Sequence, residues 1–451
     1  MKIHFLGGAG SVTGSKTVLE TEELNVLIDC GLFQGLKNLR ELNWEPLPFL
    51  PETIDCVILT HGHLDHCGWL PLLVRQGFKG KIYCTLPTKG ITKLILWDSA
   101  KIQEEEAEKA NKEHYSKHDP AKPLYTVEEA EKVFPMLKVV DPNEEVYLSD
   151  SVYFEFFYAS HILGACSVSL TAEGKTFVFS GDVGQDDDVL LFPPVKPKKA
   201  DYVFLESTYG NRLHPKTDPM FDLELIINNT YHKKGNVVIP SFAVERVQTM
   251  MYLLWQLKKQ GRIPDIPYII DTPMGIDVLQ LFIDNRKWHK LNQEECVEMC
   301  RMFTLISDYK DTIETIYDDR SKVVIAASGM VTGGRVLSYL ERYIKRPETT
   351  VALVGYQAEG TRGRKLLEGA KEIKMYGKYY PVEATVLSVE GLSAHGDQAD
   401  LLNWLSDLEE KPETLFLVHG ENEAADELRV KVEEHYGFHV VVPSRGQVIE
   451  I

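Results

Sequence analysis

The segment His61-Gly-His63-Leu-Asp65-His66 stands directly after the apolar run CVILT at 56–60, and it restricts the fold more than any other stretch of the chain. Four groups able to bind a metal fall within these six residues. One tetrahedral ion cannot take all four comfortably. A loop leaving a strand can, however, point alternate members toward two adjacent sites. The plain alternative is a histidine-rich surface loop, or a helix N-cap at Asp65. The position of the segment, at the end of a buried strand pattern, favours the metal site.

The surrounding sequence has the texture of a sheet-based core. Over the first 200 residues or so, short apolar runs alternate with glycine-marked turns: KIHFL at 2–6, NVLID at 25–29, VYFEFF at 152–157, TFVFS at 176–180 and YVFLE at 202–206. Asp98 to His118 is a charged helical stretch with little apolar surface, which reads as a solvated face. From about 209 the texture changes. NVVIP at 236–240 leads into a helix pattern closed by Gly261, and PYIID at 267–271 and KVVIAA at 322–327 are further strand-then-loop units. These predict a separate α/β domain with a parallel sheet. After about 385 the first texture returns with TVLSV at 385–389, TLFLVHG at 414–420 and HVVVP at 439–443. The boundaries expected are 1–208 and 386–451 for one domain, interrupted by 209–385.

Bulk properties exclude several classes. No apolar run is long enough to cross a bilayer, and the N-terminus lacks the pattern of a secretory signal, so a soluble cytoplasmic protein is expected. Seven cysteines without a CxxC pair do not form a disulfide framework. Cys296 and Cys300, one helical turn apart, read as a packed helix face. A net charge of −18 argues against a protein that coats nucleic acid. An enzyme that takes one short strand into a metal-lined cleft remains compatible with that charge.

Three more strand ends carry ligand-type residues: His161 after VYFEFFYAS, Asp182 in SGDVG after TFVFS, and His419 after TLFLV. Each alone has a bland reading as a core histidine, a turn aspartate or a loop histidine. Together with HGHLDH and Asp29 in LIDCG, they resemble the metallo-β-lactamase superfamily. SAHGD around His395, LVHGE around His419, LESTYG around Glu206, the opening GGAGSVTGS and the loop SGMVTGGR resemble its β-CASP branch of nucleic-acid nucleases. The match spans essentially the whole chain. In ending soon after the core, the chain resembles the compact prokaryotic members more than RNase J or the pre-mRNA 3′-end endonuclease.

The resemblance implies an α/β fold: a four-layer αββα sandwich with an inserted α/β β-CASP domain built on a parallel sheet. It also implies two zinc ions per chain. His61, His63 and His161 would hold one, Asp65, His66 and His419 the other, and Asp182 would bridge them. Asp29 would orient a ligand histidine. Two zincs about 3.5–4 Å apart suit phosphodiester hydrolysis, because they generate a hydroxide near neutral pH and stabilise charge on phosphate. Asp182, Glu206 and His395 are the catalytic candidates, with His395 as general acid kept protonated by Glu206.

Histidine at 419, where DNA-directed members of the branch tend to carry valine, favours single-stranded RNA and 5′-phosphate products. Internal cutting and 5′-to-3′ trimming use the same site, and both stay open, as does a homo-oligomer. For strand binding the candidates are Ser328, Gly329, Thr332, Gly333 and Arg335 in SGMVTGGR, and Arg362 and Arg364 in EGTRGRK. The plain reading of that loop is a tight turn packing helix on sheet. The competing functions are a DNA nuclease of the same fold, a non-catalytic RNA-processing scaffold, and a thioesterase or lactamase on the same metal core. The last leaves Glu206, His395 and the inserted domain without a purpose.

Overall fold

A computed structural model describes residues 1–113 and 118–451 of the chain. It divides into two compact units: Met1–Leu213 with His395–Ile451, and His214–Ala394. The charged stretch forms the end of a helix, Leu86–Glu113, and its residues 114–117 lie outside the described residues. Among the described residues no helix is long and apolar enough to cross a membrane.

The first unit holds two seven-stranded sheets. One runs in the order Val448–Glu450, Lys2–Gly7, Lys16–Glu20, Asn25–Ile28, Cys56–Ile58, Lys81–Cys84 and Leu137–Val139. The other runs Val440–Val441, Thr414–Val418, Tyr202–Glu206, Lys175–Phe179, Cys166–Ala172, Tyr153–Tyr158 and Val146–Tyr147. Aromatic rings fill the space between the sheets. Phe5 lies 6.0 Å from Phe204 and 5.3 Å from Phe416, and Phe204 stacks on Phe179 at 4.1 Å. On the outer face of the first sheet, Val18, Leu27, Val57 and Ile82 pack with Leu70, Leu73 and Leu96 from flanking helices. On the outer face of the second, Val203, Leu205, Leu415 and Leu417 pack with Leu401, Trp404, Leu428 and Val432. The layers are therefore helix, sheet, sheet, helix, the sandwich expected from sequence.

Strand alternation explains which faces meet. In Lys2–Gly7 the buried Ile3 and Phe5 alternate with half-buried Lys2 and His4, as a strand with one wetter face requires. Tyr202–Glu206 is buried throughout because it pairs in parallel with strands on both sides, Lys175–Phe179 and Thr414–Val418. That burial carries Glu206 to the sheet end with no exposed surface.

The second unit is a six-stranded sheet in the order Phe303–Leu305, Tyr268–Asp271, Val323–Ala326, Val237–Pro240, Thr350–Leu353 and Thr385–Ser388. Every pair in this sheet is parallel, with helices such as Arg246–Lys259 and Val336–Tyr343 as crossovers, and the unit also holds a separate antiparallel pair, Glu372–Met375 with Lys378–Pro381. The units divide after Leu213 and before His395, against a sequence expectation of divisions after 208 and before 386. The strand Thr385–Ser388 pairs with Thr350–Leu353, so the chain rejoins the first unit at His395 rather than at 386. Its apolar run suits either sheet, and only the pairing assigns it.

Candidate metal centre

Each ligand-type residue marked in the sequence sits just beyond a strand of the first unit. HGHLDH leaves Cys56–Ile58 and turns into a single helical turn, Leu64–Cys67, capped at His63. Asp182 follows Lys175–Phe179, Glu206 ends Tyr202–Glu206, and His419 follows Thr414–Val418. Asp29, Ser160 and His419 take left-handed backbone angles, φ 57°, 72° and 48°. Non-glycine residues seldom adopt them, and such positions persist where surrounding structure fixes a side chain's direction.

The side chains converge as two groups around one carboxylate. His61 Nε2 and His63 Nδ1 are 3.2 Å apart, and His161 Nε2 is 3.0 Å from His63 Nδ1. Both Nε2 atoms lie 3.5 Å from Asp182 Oδ2. The other oxygen, Asp182 Oδ1, lies 3.2 Å from His66 Nε2 and 3.6 Å from His419 Nε2. Asp65 Oδ2 is 3.9 Å from His419 Nε2. The ligand atoms of His61, His63, His161 and Asp182 all fall within 4.8 Å of one another, and so do those of Asp65, His66 and His419.

The groups behind these atoms fix ring orientation. His66 donates from Nδ1 to Asp29 Oδ2 at 2.7 Å, which identifies His66 as the histidine that Asp29 orients. Asp29 is held in turn by the Thr60 N–H and hydroxyl, each at 2.8 Å. Ser15 Oγ and His419 Nδ1 lie 2.8 Å apart, and Thr60 Oγ1 is 3.1 Å from His61 Nδ1. Sequence reading missed Ser15 and Thr60. Both lie inside quoted runs, GGAGSVTGS and CVILT, but a lone hydroxyl does not announce its partner, whether 404 positions away, as for Ser15, or 31, as for Thr60 and Asp29.

The donor set fits divalent metal ions. His66 Nε2 and Asp182 Oδ1 are fully buried and make no well-aligned hydrogen bond, although they are 3.2 Å apart. Buried polar atoms are nearly always paired, so two that converge without a bond are shaped for a shared ligand. Burial keeps His61, His63 and His419 neutral against the attraction of Asp182, whereas at His66 the charges of Asp182 and Asp29 overcome burial and hold the pKa well above its ordinary value. His61 lies well below its ordinary value, His63 is drawn to about 4 and His419 to about 3. A neutral imidazole offers the lone pair that a cation requires. Burial opposes charge on Asp182, but His419, His66 and His61 hold it well below the usual carboxylate range.

A third group stands beside this pair. His395 donates from Nδ1 to Glu206 Oε1 at 3.0 Å, and its Nε2 is 4.0 Å from Asp182 Oδ2. Glu206 also accepts from the N–H groups of Val183 at 2.8 Å and Thr208 at 3.3 Å, which fix its position. Burial lowers the His395 pKa, but the charge and hydrogen bond of Glu206, with Asp182 and Asp65 behind, outweigh it and hold it at about 9. With 21 % of its side chain exposed, His395 is the solvent-facing member of the pair.

The residues singled out for strand binding fall in the second unit. Ser328 Oγ accepts from the N–H groups of Thr332 and Gly333 at 3.0 and 3.2 Å, closing the loop on itself. A Cβ on Gly329 would lie 2.6 Å from the Phe242 ring, so glycine there serves packing. Arg335 turns inward: Nη1 donates to Asp271 Oδ1 at 2.6 Å and Thr312 Oγ1 at 3.0 Å, and Nη2 to Ser307 O. Arg362 donates to the carbonyls of Lys374, Val331 and Thr332. Arg364 pairs with Glu368 at the surface. The plain reading of this loop, a turn packing helix on sheet, accounts for Gly329, Arg335 and Arg362.

Comparison with known proteins agrees with this architecture. The Metallo-beta-lactamase superfamily profile matches residues 11–228, the Beta-Casp domain 247–366, and the Zn-dependent metallo-hydrolase RNA specificity domain 379–443. A ribonuclease of Thermus thermophilus is 32% identical over 94% of this chain and 94% of its own length. The transcription termination factor FttA of Methanosarcina mazei is 32% identical over 96% of this chain and 69% of its own. An RNase J-like protein of Methanocaldococcus jannaschii is 29% identical over 100% of this chain and 99% of its own. A protein of unknown function from Enterococcus faecalis shares the fold with a TM-score of 0.55 at 12% identity, over 100% of this chain and 99% of that one. The chain therefore belongs to the β-CASP branch of the metallo-β-lactamase superfamily, a family of divalent-metal hydrolases.

Proposed function

We propose that this chain is a two-zinc ribonuclease that hydrolyses phosphodiester bonds of single-stranded RNA, with the cytoplasm as its expected compartment. His61, His63 and His161 hold one ion, Asp65, His66 and His419 the other, and Asp182 serves both. The observation that carries the reading is Asp182 itself, one oxygen facing each cluster at 3.2–3.6 Å. When bound, the ions supply an activated water and neutralise charge developing on phosphate. What they do not supply is a proton for the departing ribose oxygen.

His395 supplies that proton. Its Nε2 faces the site, its Nδ1 is anchored on Glu206, and its raised pKa keeps it an acid at neutral pH. After transfer, the Nδ1–H bond to Glu206 holds the neutral ring in place for reprotonation. Choice of RNA is supported by the RNA specificity match over 379–443 and by relatives named as ribonucleases. His419 adds to it. Its imidazole stands between Ser15 and Asp182, where valine could fill the space but bind nothing.

Wild type and Asp182→Ala, each given end-labelled single-stranded RNA and matching DNA with zinc, test the reading. Wild type is expected to cut RNA into 5′-phosphate products, and Asp182→Ala to lose both activity and zinc. Preferential cutting of DNA replaces the RNA reading with a DNA nuclease. Failure of zinc-loaded wild type to cut either one leaves the scaffold, or another hydrolase on the same metal core, as the better account.

A further inference from the structure

Lysine enters a protein interior only where partners compensate the desolvated ammonium. Lys16 is 2 % exposed, and its partners are carbonyl groups and rings. Its Nζ donates to Gly31 O and, at 3.3 Å, to Gly14 O. The same atom lies 4.6 Å from the Phe33 ring centroid and 5.7 Å from that of Trp69. Burial draws Lys16 down to about 8, so it remains largely protonated at neutral pH.

The two carbonyls belong to turns with one task in common. Gly14 precedes Ser15, whose N–H donates to Asp65 O at 2.9 Å and whose Oγ meets His419 Nδ1 at 2.8 Å. Gly31 closes the turn that begins at Asp29, the carboxylate on His66. In that turn Cys30 N–H donates to His66 O at 2.7 Å and Gly31 N–H to Ser15 O at 3.0 Å. The turn lies so close to the ligand segment that a Cβ on Gly31 would fall 1.5 Å from Asp65 O. Asp65, His66 and His419 are thus each one hydrogen bond from a turn that Lys16 grips. His61 stands one bond further away, steadied by Thr60, which itself donates to Asp29 at the head of the Gly31 turn.

We infer that Lys16 is a positioning residue for the second ligand cluster, its buried ammonium joining the two turns that set Asp65, His66 and His419. The inference rests on the two-metal reading. Without the ammonium, two glycine-centred turns lose their common donor, and the three ligands lose their mutual register. The first cluster, reached through Thr60 and Asp29, stands one bond further from that grip. Removal of an outer partner of a metal ligand typically weakens metal affinity by about 10–100-fold.

The test titrates zinc into metal-stripped wild type, Lys16→Met and the control Val18→Ala, with cobalt spectra recorded in parallel. Val18 is buried in the same strand and makes neither carbonyl contact. Lys16→Met is expected to keep first-site affinity and lose about 10–100-fold at the second site, with an altered cobalt spectrum for that site. Val18→Ala is expected to lower thermal stability while both affinities stay at wild-type values. Unchanged second-site affinity, equal weakening of both sites, or the same selective loss in Val18→Ala overturns the inference. Lys16→Gln, with a shorter neutral donor, gives the same comparison if Lys16→Met does not fold. Wild type that takes up fewer than two ions defeats the two-metal reading itself, and the role of Lys16 with it.

Discussion

Two buried carboxylates at strand ends, Asp182 in the first unit and Asp271 in the second, are satisfied in opposite ways. In the first unit, Asp182, His66 and their neighbours point at common centres, and two of the buried atoms there make no hydrogen bond. In the second, the carboxylate of Asp271 at the end of Tyr268–Asp271 is equally buried, but it is closed by Arg335 at 2.6 Å and by the Tyr339 hydroxyl, also at 2.6 Å. Residue type does not separate the two cases. Both hold buried acids beside basic or polar partners at strand ends. What separates Asp182 from Asp271 is whether the protein satisfies the carboxylate by itself.

The largest effect that probes this contrast is His395→Ala. It removes the proton donor and leaves every ligand in place, so zinc content should stay at the wild-type level while kcat falls about 10³-fold. Zinc analysis and single-turnover cleavage of RNA read the two quantities together. Loss of metal would make His395 part of the metal scaffold and erase the distinction drawn above.

In the second unit the matching substitution is Arg335→Ala. It strands a buried carboxylate, and removing one partner of such a pair costs about 3–5 kcal/mol. Denaturant unfolding should show that loss. The salt dependence of RNA binding should keep its wild-type slope, because the guanidinium faces inward. A reduced slope with unchanged stability would return Arg335 to the role of phosphate contact.

The smallest effect sharpens the role of Glu206. His395 acts in its protonated form, so activity is present below its pKa and lost as pH rises through it. Burial lowers that pKa and Glu206 raises it. Glu206→Gln removes the raising charge, and the basic limb of the pH–rate profile should move to lower pH by roughly one to two units. An unmoved limb would assign that titration to another group.

Much of this was legible in the sequence, for a physical reason. A strand of alternating or continuous apolar residues carries its own signal, and ligands attached directly to such strands inherit its clarity. His61, Asp182 and His419 could be marked because CVILT, TFVFS and TLFLV precede them. The chemistry that depends on distant pairing was not legible from the residues alone. Ser15 and His419 are 404 positions apart, and Glu206 and His395 are 189 apart. The resemblance to the β-CASP branch linked the second pair and was silent on the first. For Arg335 the residues left two readings open, because its acceptor, Asp271, ends a different strand 64 positions upstream. An arginine after a glycine-rich turn has the same sequence whether it faces solvent or core. The strand Thr385–Ser388 misplaced a boundary for a related reason: an apolar run states that it pairs, and not with what.

On the two-zinc reading proposed above, the order of the ligands along the chain has a consequence for synthesis. His61, His63, His161 and Asp182 are all made by residue 182, whereas His395 and His419 follow the whole second unit. At a translation rate of about 5–20 residues per second, a growing chain spends roughly 10–50 s with its first cluster made and neither the last ligand nor the proton donor available. During that interval the nascent protein, still attached to its own message, lacks the parts needed to cleave it.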